Sequence, residues 1–293
     1  MAGHVDERSA GSSEEAGIRS RVHGMWNSVA RNWDLHSAYI EARAAPITRA
    51  ILERVEIRRG DHVIELASGP GGMALAIADA VGPSGRVTIS DVAPAMTEIV
   101  ANRAAKTELR NVVVKNLDLE HIEEPDNAFT VALCREGLMF ALDPQRALDE
   151  MTRVLKPGGR LAVSVWGPSQ RNPWLALVFA SVSAVLGKPM PPPAVPGPFS
   201  LEDLDRLRDL LARAGLSQVR TGEVQISTTA ATFEDWWSRT SALAGPLAKV
   251  LSELSAERRE ELDERLRMAV KPYETRSGLS LPGVALVASG HKG

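Results

Sequence analysis

Short apolar runs alternate with segments of helical periodicity through the middle of the chain. Between them, MALAIADAV, APAMTEIVANRAA and DPQRALDEMTRVL place apolar residues on one helical face. Such alternation predicts a Rossmann-like, doubly wound α/β sheet with mostly parallel strands. The predicted strands are HVIEL from residue 62, RVTISD from 86, NVVVKNLD from 111, FTVALC from 129 and RLAVSVW from 160.

The regular alternation stops at Gly167. SLEDLDRLRDLLARAGL predicts a helix capped by Ser200 and ended at Gly215, and VRTGEVQIST and PGVALVASG predict two last strands. The remaining segments predict a domain plan around this sheet. We expect a disordered tail over 1–20, a helical cap over 21–58 and a main domain over 59–293, with lid inserts at about 168–199 and 231–275.

Composition narrows the class of protein. A chain of 293 residues with 44% hydrophobic residues can bury a core, and a net charge of -3 argues against a nucleic-acid partner. A single cysteine excludes a disulfide framework and fits a reducing compartment. Six scattered histidines predict no metal site, and the apolar run from Trp174 is too short to span a bilayer. A soluble cytoplasmic protein without stable membrane insertion is expected.

The stretch VIELASGPGG, residues 63–72, joins the first strand to a glycine-rich turn and a helix. In a parallel sheet this is the edge at which ligands bind. Gly69 and Gly71 allow a close backbone approach, Ala67 keeps the strand exit slim, and the helix N-terminus near Met73 offers free N–H groups. A purely structural turn is the alternative.

Two classes of ligand compete for this turn. Gly69-x-Gly71-x-x-Ala74, with Asp91 at the end of the second strand, satisfies a dinucleotide fingerprint. Glu65 argues against it, because a carboxylate beside a pyrophosphate is repulsive. S-adenosylmethionine has a cationic amine for Glu65, a ribose for Asp91 and an adenine for Asp118. The acid therefore favours S-adenosylmethionine as cofactor.

These motifs, followed by LKPGGRL, resemble the class I S-adenosylmethionine-dependent methyltransferases over about residues 24–166. MWNSVARNWD and DNAFTVALCREGLMFALDPQRALDEMTRVLKPGGRL are similar to the ubiquinone/menaquinone-biosynthesis methyltransferase-like group. The resemblance implies a seven-stranded sheet whose last strand is antiparallel. It also implies a cofactor site made of Trp33, Glu65, Ala67, Gly69, Pro70, Gly71, Asp91, Val92, Met96, Asp118, Leu119 and Cys134.

The acceptor is less constrained by sequence. A general base would help a hydroxyl or amine acceptor, and His36 and Glu136 are candidates. The chain departs from the group at Trp33, usually Tyr, at Met139-Phe140, usually Arg-Asn, and at Thr130, usually an acid. Residues that either line an apolar acceptor pocket or pin the inserts to the core are Trp26, Met139, Phe140, Trp166, Trp174, Trp236 and Trp237.

The sequence thus predicts S-adenosylmethionine-dependent methylation of a small hydrophobic or aromatic metabolite by a monomer or homodimer. Two alternatives stay open, an NAD(P)-dependent dehydrogenase and a protein that binds S-adenosylmethionine without transferring its methyl group. A nucleic-acid acceptor is disfavoured, because CREG follows the fourth strand in place of an Asn/Asp-Pro-Pro-aromatic stretch.

Overall fold

The predicted strands form one mixed sheet in the computed structural model, which describes residues 7–107, 109–193 and 195–293. Within these ranges the strand order is β3-β2-β1-β4-β5-β8-β6, with the short β7 paired to β8. The strands are β1 (His62–Leu66), β2 (Arg86–Asp91), β3 (Val112–Asn116), β4 (Phe129–Arg135), β5 (Leu155–Trp166), β6 (Leu216–Ala230), β7 (Glu274–Thr275) and β8 (Gly278–Lys292).

Strands β1 to β5 pair in parallel, and β8 runs antiparallel between β5 and β6. The predicted α/β fold, with seven strands across the sheet and an antiparallel last strand, is therefore confirmed. The two-residue β7 was not predicted. Chain order reverses at β1, which lies between β2 and β4, so the carboxyl end of β1 faces the crevice where a doubly wound sheet binds ligands.

Helices lie before, between and after these strands. Among the described helices, none combines the length and apolar character that crossing a bilayer requires. Their bounds are α1 (Glu7–Leu35), α2 (Ser37–Val55), α3 (Gly72–Val81), α4 (Pro94–Ala105), α5 (Pro144–Val154), α6 (Pro173–Leu186), α7 (Leu204–Arg213), α8 (Phe233–Leu243), α9 (Gly245–Glu253) and α10 (Ala256–Val270).

The N-terminal segment differs from its prediction. Residues 1–6 of the expected disordered tail lie outside the described residues, but α1 is helical from Glu7 onward, so the prediction is wrong there. Tertiary contacts stabilise this polar helix, because Ala30 packs on Ala93 and Met96 at the start of α4. Asn27 Oδ1 also accepts the backbone N–H of Ala95 at 2.9 Å.

Helix α2 is anchored to the sheet at its C-terminal end. The Arg160 guanidinium of β5 donates to the carbonyls of Val55 and Glu56 at 2.7 Å each. The same guanidinium binds both oxygens of Asp61 at 2.7 and 2.8 Å. Thr130, which replaces the acid usual in the related group, donates to Asp61 Oδ1 at 2.8 Å. This replacement therefore lies in the anchor formed by Arg160 and Asp61, at the edge of the sheet where β1 and β4 begin.

The start of α7 is a second correction. The helix begins at Leu204, and Asp203, rather than the predicted Ser200, is its N-cap. The Asp203 carboxylate accepts the backbone N–H of Arg206 at 2.7 Å. Ser200 Oγ instead accepts the N–H of Gly197 in the preceding turn. Serine and aspartate are both favoured at the N-cap position, so the sequence alone does not show which of the two begins the helix.

Candidate active site

The turn after β1 has left-handed backbone geometry at Ala67, Gly69 and Gly71, with φ of 50°, 54° and 79°. Gly69 lines the cavity beside this turn and lies under Trp33, whose Cε3 would be 3.5 Å from a Cβ on that glycine. A Cβ on Gly71 would lie 2.9 Å from Val100 Cγ2. Gly71 therefore allows α3 to begin in close contact with α4. It is not among the described residues that line the cavity.

The cavity lies between α1, α2 and the carboxyl ends of β1, β2 and β4, and its volume is about 1030 Å³ when the open mouth is included. Its wall is rich in acids, with arginine only at Arg19 and Arg135 among the described residues. An acidic wall repels phosphate groups and attracts a cationic ligand. Among the described residues, the six carboxyl side chains that line it are those of Glu41, Glu65, Asp91, Asp118, Glu120 and Glu136.

Glu65 presents an unused acceptor to this cavity. Its carboxyl group accepts the backbone N–H of Ala74, while Oε2 is buried without a hydrogen-bond partner among the described residues. Burial raises the pKa of Glu65 to about 8, although the nearby Arg135 guanidinium lowers it. Arg135 is held by Glu41 through two hydrogen bonds of 2.6 and 2.9 Å. The arrangement suits an ammonium ligand, because its positive charge would favour the ionised form of the Glu65 carboxyl group and so displace the proton that burial retains there.

Asp91 is fixed at the end of β2 by the turn itself. Its Oδ2 accepts the N–H of Gly69 and its Oδ1 the N–H of Ala93, both at 2.9 Å. Burial raises the pKa of Asp91, and these hydrogen bonds oppose the rise. The backbone N–H of Val92 also donates to this carboxylate, so one of its four lone pairs remains to accept from a hydroxyl of a ligand.

Helix α1 closes the end of the cavity near Asp118. Arg19 donates to Asp118 Oδ2 at 2.8 Å and to Glu120 Oε2 at 2.7 Å. His23 Nε2 lies 3.6 Å from the same Asp118 oxygen. Burial lowers the pKa of Arg19 but the two carboxylates outweigh it and raise that pKa. The carboxylate expected to bind adenine is thus shared with the cap.

Comparison with known proteins agrees with this geometry. The sequence profile of the ubiE/COQ5 methyltransferase family matches residues 14–178. The chain belongs to the ubiE/COQ5 methyltransferase family. A ubiquinone/menaquinone biosynthesis C-methyltransferase UbiE of Burkholderia multivorans is 33% identical over 183 residues, which cover 57% of this chain and 74% of the relative.

Solved structures share the methyltransferase's fold. The YcgJ protein of Bacillus subtilis superposes with a TM-score of 0.56 at 18% identity, covering 84% of this chain and 97% of that one. Phosphoethanolamine N-methyltransferase 2 of Haemonchus contortus, solved with S-adenosyl-L-methionine, gives a TM-score of 0.53 at 16% identity. That alignment covers 84% of this chain and 52% of the Haemonchus chain.

The methyltransferase uses S-adenosylmethionine as its cofactor and acts on a small molecule. Its cavity fits this cofactor, because a Glu65 oxygen that lacks a partner among the described residues meets the need of an amine, and Asp91 keeps a lone pair that can accept from a ribose hydroxyl. The alternatives of a dehydrogenase and of a non-methylating binder are set aside by family membership, and the acidic wall also opposes a pyrophosphate.

A second cavity of about 550 Å³ adjoins the first in the methyltransferase. Trp26, Trp33, Phe140 and Glu136 line both cavities. Trp26 meets Phe140 edge to face at 4.9 Å and Trp33 at 5.7 Å between ring centroids. The outer wall consists of Arg43, Trp166, Trp174, Leu175, Phe179, Pro198, Thr240, Leu243, Ala244 and Gly245.

Glu136 lies where the two cavities meet. Its backbone is left-handed, with φ of 58°, and its N–H donates to Ser164 O at 3.0 Å and Ser164 Oγ at 3.1 Å. Oε1 is buried and finds no hydrogen-bond partner in the part of the chain that the structure describes. Burial raises the pKa of Glu136, while the Arg43 and Arg135 guanidinium groups lower it. A strained backbone thus holds a carboxyl group of raised pKa at the junction.

Most predicted cofactor residues of the methyltransferase come together. Cys134 is an exception: it is fully buried beside Gly137, and burial raises the pKa of its thiol to about 12. The predicted residues that line the first cavity are Trp33, Glu65, Ala67, Gly69, Pro70, Asp91, Val92, Met96, Asp118 and Leu119.

The predicted acceptor residues divide into two groups. Trp26, Phe140, Trp166, Trp174 and Glu136 line a cavity. Three of the predicted residues, all of them described, line neither cavity. His36 lies at the junction of α1 and α2, and Met139 and Trp236 are buried in the core. Trp237 also lies apart and donates its Nε1–H to Asp263 at 2.9 Å. The tryptophan pair therefore pins the second insert of the methyltransferase to its core.

Sequence reasoning missed the charged and polar residues supplied by the cap. Glu41 and Thr48, seven residues apart on one face of α2, both bind Arg135. That spacing was a possible signal, but charged residues on an amphipathic helix usually face solvent. The others that were missed are Arg19, His23 and Arg43.

Proposed function

We propose that this methyltransferase transfers a methyl group to a small planar aromatic acceptor, such as a phenol or quinol, held in the second cavity. The observation that carries the proposal is the wall common to both cavities, in which Glu136 and three aromatic side chains contact either space. A donor in one cavity and an acceptor in the other would meet at that wall, as alignment for displacement requires.

In the first cavity, Glu65 would bind the amine of the cofactor and Asp91 a hydroxyl of its ribose. Asp118, Leu119 and Met96 would contact the adenine end, with Trp33 over the turn. When bound, S-adenosylmethionine supplies an electrophilic methyl group on a sulfonium. Binding therefore places the donor's positive charge in an acidic wall.

In the second cavity, Glu136 would act as the general base. Its carboxylate would accept the proton of the acceptor hydroxyl as that oxygen, or a ring carbon activated by it, gains the methyl group. The raised pKa of Glu136 supports this role, because burial makes its carboxylate a stronger base than an exposed glutamate. The aromatic side chains around it would hold the ring and exclude water.

The acceptor need not be that of the curated relatives, whose names specify ubiquinone and menaquinone biosynthesis. The family match ends at residue 178, whereas much of the second cavity's outer wall comes from Phe179, Pro198 and residues 240–245. We therefore infer an acceptor particular to this chain. We also infer that it is a free metabolite rather than a nucleic acid, which the net charge of -3 supports, and that the protein is cytoplasmic, which the single cysteine supports. A monomer or homodimer is our expectation for its assembly.

Calorimetric titration with S-adenosylmethionine and S-adenosylhomocysteine at pH 8 tests the cofactor site. Both should bind the unaltered chain, and Glu65→Gln should weaken both by roughly tenfold to a hundredfold, since one charge-assisted hydrogen bond is lost. Glu98→Gln, on the exposed face of α4, is the matched control and should bind normally. Failure of both ligands to bind the unaltered chain would overturn the proposed function, and normal binding by Glu65→Gln would remove Glu65 from the site.

A further inference from the structure

Arg43 stands out among the charged groups of the second cavity. It lies on α2, and its guanidinium carbon is 4.5 Å from the Trp174 ring centroid, 5.4 Å from Trp166 and 5.8 Å from Tyr39. Its Nε is buried without a hydrogen-bond partner within the described ranges. Aromatic faces attract the charge but accept N–H groups only weakly compared with an oxygen acceptor, so the guanidinium keeps donors free for an anion.

The other arginines near the site are already paired. Arg135 is bound to Glu41, and Arg19 to Asp118 and Glu120. Glu136 is the carboxyl group in the second cavity, yet it forms no direct ion pair with Arg43 in the described part of the chain. Two groups of opposite charge therefore face the same space, and each has a buried atom without a hydrogen-bond partner among the described residues.

Burying an unpaired donor of a charged group is costly, and such donors usually mark a missing partner. A guanidinium fork matches a carboxylate in two parallel hydrogen bonds. The rings of Trp166 and Trp174, at 5.0 Å from one another, hold the fork from two directions and leave it little freedom to reach other partners. The anion must therefore come to Arg43 through the cavity.

We propose that the second cavity binds an aromatic acceptor bearing an acidic group, with Arg43 holding that group and Glu136 facing the opposite, reacting end of the ring. This inference rests on the proposed function and specifies the substrate class of the same site. Arg43 is a specificity-determining residue in this scheme, because it selects the acidic group while the methyl transfer occurs at the Glu136 end.

The test measures equilibrium binding of matched acidic and neutral aromatics to the full chain saturated with S-adenosylhomocysteine. One pair is 3,4-dihydroxybenzoate and 3,4-dihydroxybenzamide, and a larger pair is 6-hydroxy-2-naphthoate and 6-hydroxy-2-naphthamide, in which the hydroxyl and the acidic group or its amide lie at opposite ends of the ring system. In at least one pair the acid should bind tenfold or more tightly than its amide. Arg43→Met should reduce the acid to the affinity of the amide and leave the amide's affinity unchanged.

Arg239→Met is the matched control. Arg239 stacks on the same Tyr39 ring at 4.3 Å, but it is paired with Asp235 and is not among the described residues of the cavity wall. It should retain the preference for the acid. Equal binding of acid and amide by the unaltered chain, an equal loss of both in Arg43→Met, or no binding of either acid would overturn the inference.

Binding of S-adenosylhomocysteine, measured first in every variant, separates the two levels of the proposal. If the unaltered chain fails to bind it, the proposed function fails. If it binds and the acids show no preference, the cofactor site stands and the assignment of the acceptor class is wrong. Normal cofactor binding by Arg43→Met also shows that this variant is folded.

Discussion

At the scale of single residues, the buried Glu65 side chain couples protonation to stability. Its pKa is about 8 in the folded chain against an ordinary value of 4.5, so the folded state keeps a proton that the unfolded state has lost between those pH values. Stability contributed in this way is complete below about pH 4.5 and is lost as the pH rises toward 8, by about 1.4 kcal/mol per pH unit.

Glu65→Gln removes this titration and keeps the shape of the side chain. We expect the variant and the unaltered chain to differ little in free energy of unfolding at pH 5. The variant should be the more stable by several kcal/mol at pH 8. Urea denaturation at both pH values measures this, and a difference that stays constant with pH would show that Glu65 ionises normally in the folded chain.

The sequence predicted Glu65 because an acid inside an apolar strand is conspicuous. It could not predict Arg43, which is an ordinary charged residue on a helix until Trp166 and Trp174 pack against it. Those rings lie more than a hundred residues away in the chain, and only the folded sheet brings them to α2. Partners distant in sequence therefore define the part of the site that pattern analysis missed.

At the scale of elements, helix α1 both covers the cofactor cavity and pairs with two of its acids, Asp118 and Glu120. Arg19→Ala should speed the association of S-adenosylhomocysteine several-fold, because Asp118 and Glu120 would no longer be held by the cap. Stopped-flow measurement of tryptophan emission can follow this step, since Trp26 and Trp33 line the cavity.

Arg21→Ala is the control for this helix, because Arg21 is exposed and lies only two residues further along α1. It should leave the association rate unchanged. Slower association in Arg19→Ala than in the control would mean that Arg19 attracts or holds the cofactor instead of competing with it for Asp118.

Elements buried on both faces were the most predictable. The segments HVIEL and RVTISD coincide with β1 and β2, because a parallel strand under two helical layers needs a continuous apolar run. The N-terminal half of α1 was assigned to a tail, since its composition is polar and its stabilising contacts come from other parts of the chain. Contacts between residues distant in the chain leave no signal in the local sequence pattern.

At the scale of the whole molecule, the buried pair of Arg160 and Asp61 joins the cap to the sheet. Arg160→Met would leave the Asp61 carboxylate buried without its cation and free the carbonyls at the end of α2. We expect a loss of about 3 to 5 kcal/mol in free energy of unfolding, measured by urea denaturation.

The pair of Arg171 and Glu223 provides the comparison, because both side chains are exposed. Arg171→Met should cause no measurable change, since an exposed ion pair is screened by solvent. Similar losses in the two variants would show that the anchor between α2 and β5 contributes no more than a surface contact.

The side chain of Trp33 connects the two halves of the catalytic cycle. It lies over Gly69 on the cofactor side, and its Nε1–H donates to the carbonyl of Leu243 at 3.0 Å on the acceptor side. One indole therefore contacts both the turn that would hold the donor and the wall of the cavity that would hold the acceptor. We expect a compulsory binding order, in which S-adenosylmethionine binds first and the acceptor binds second. The methylated product is then released before S-adenosylhomocysteine.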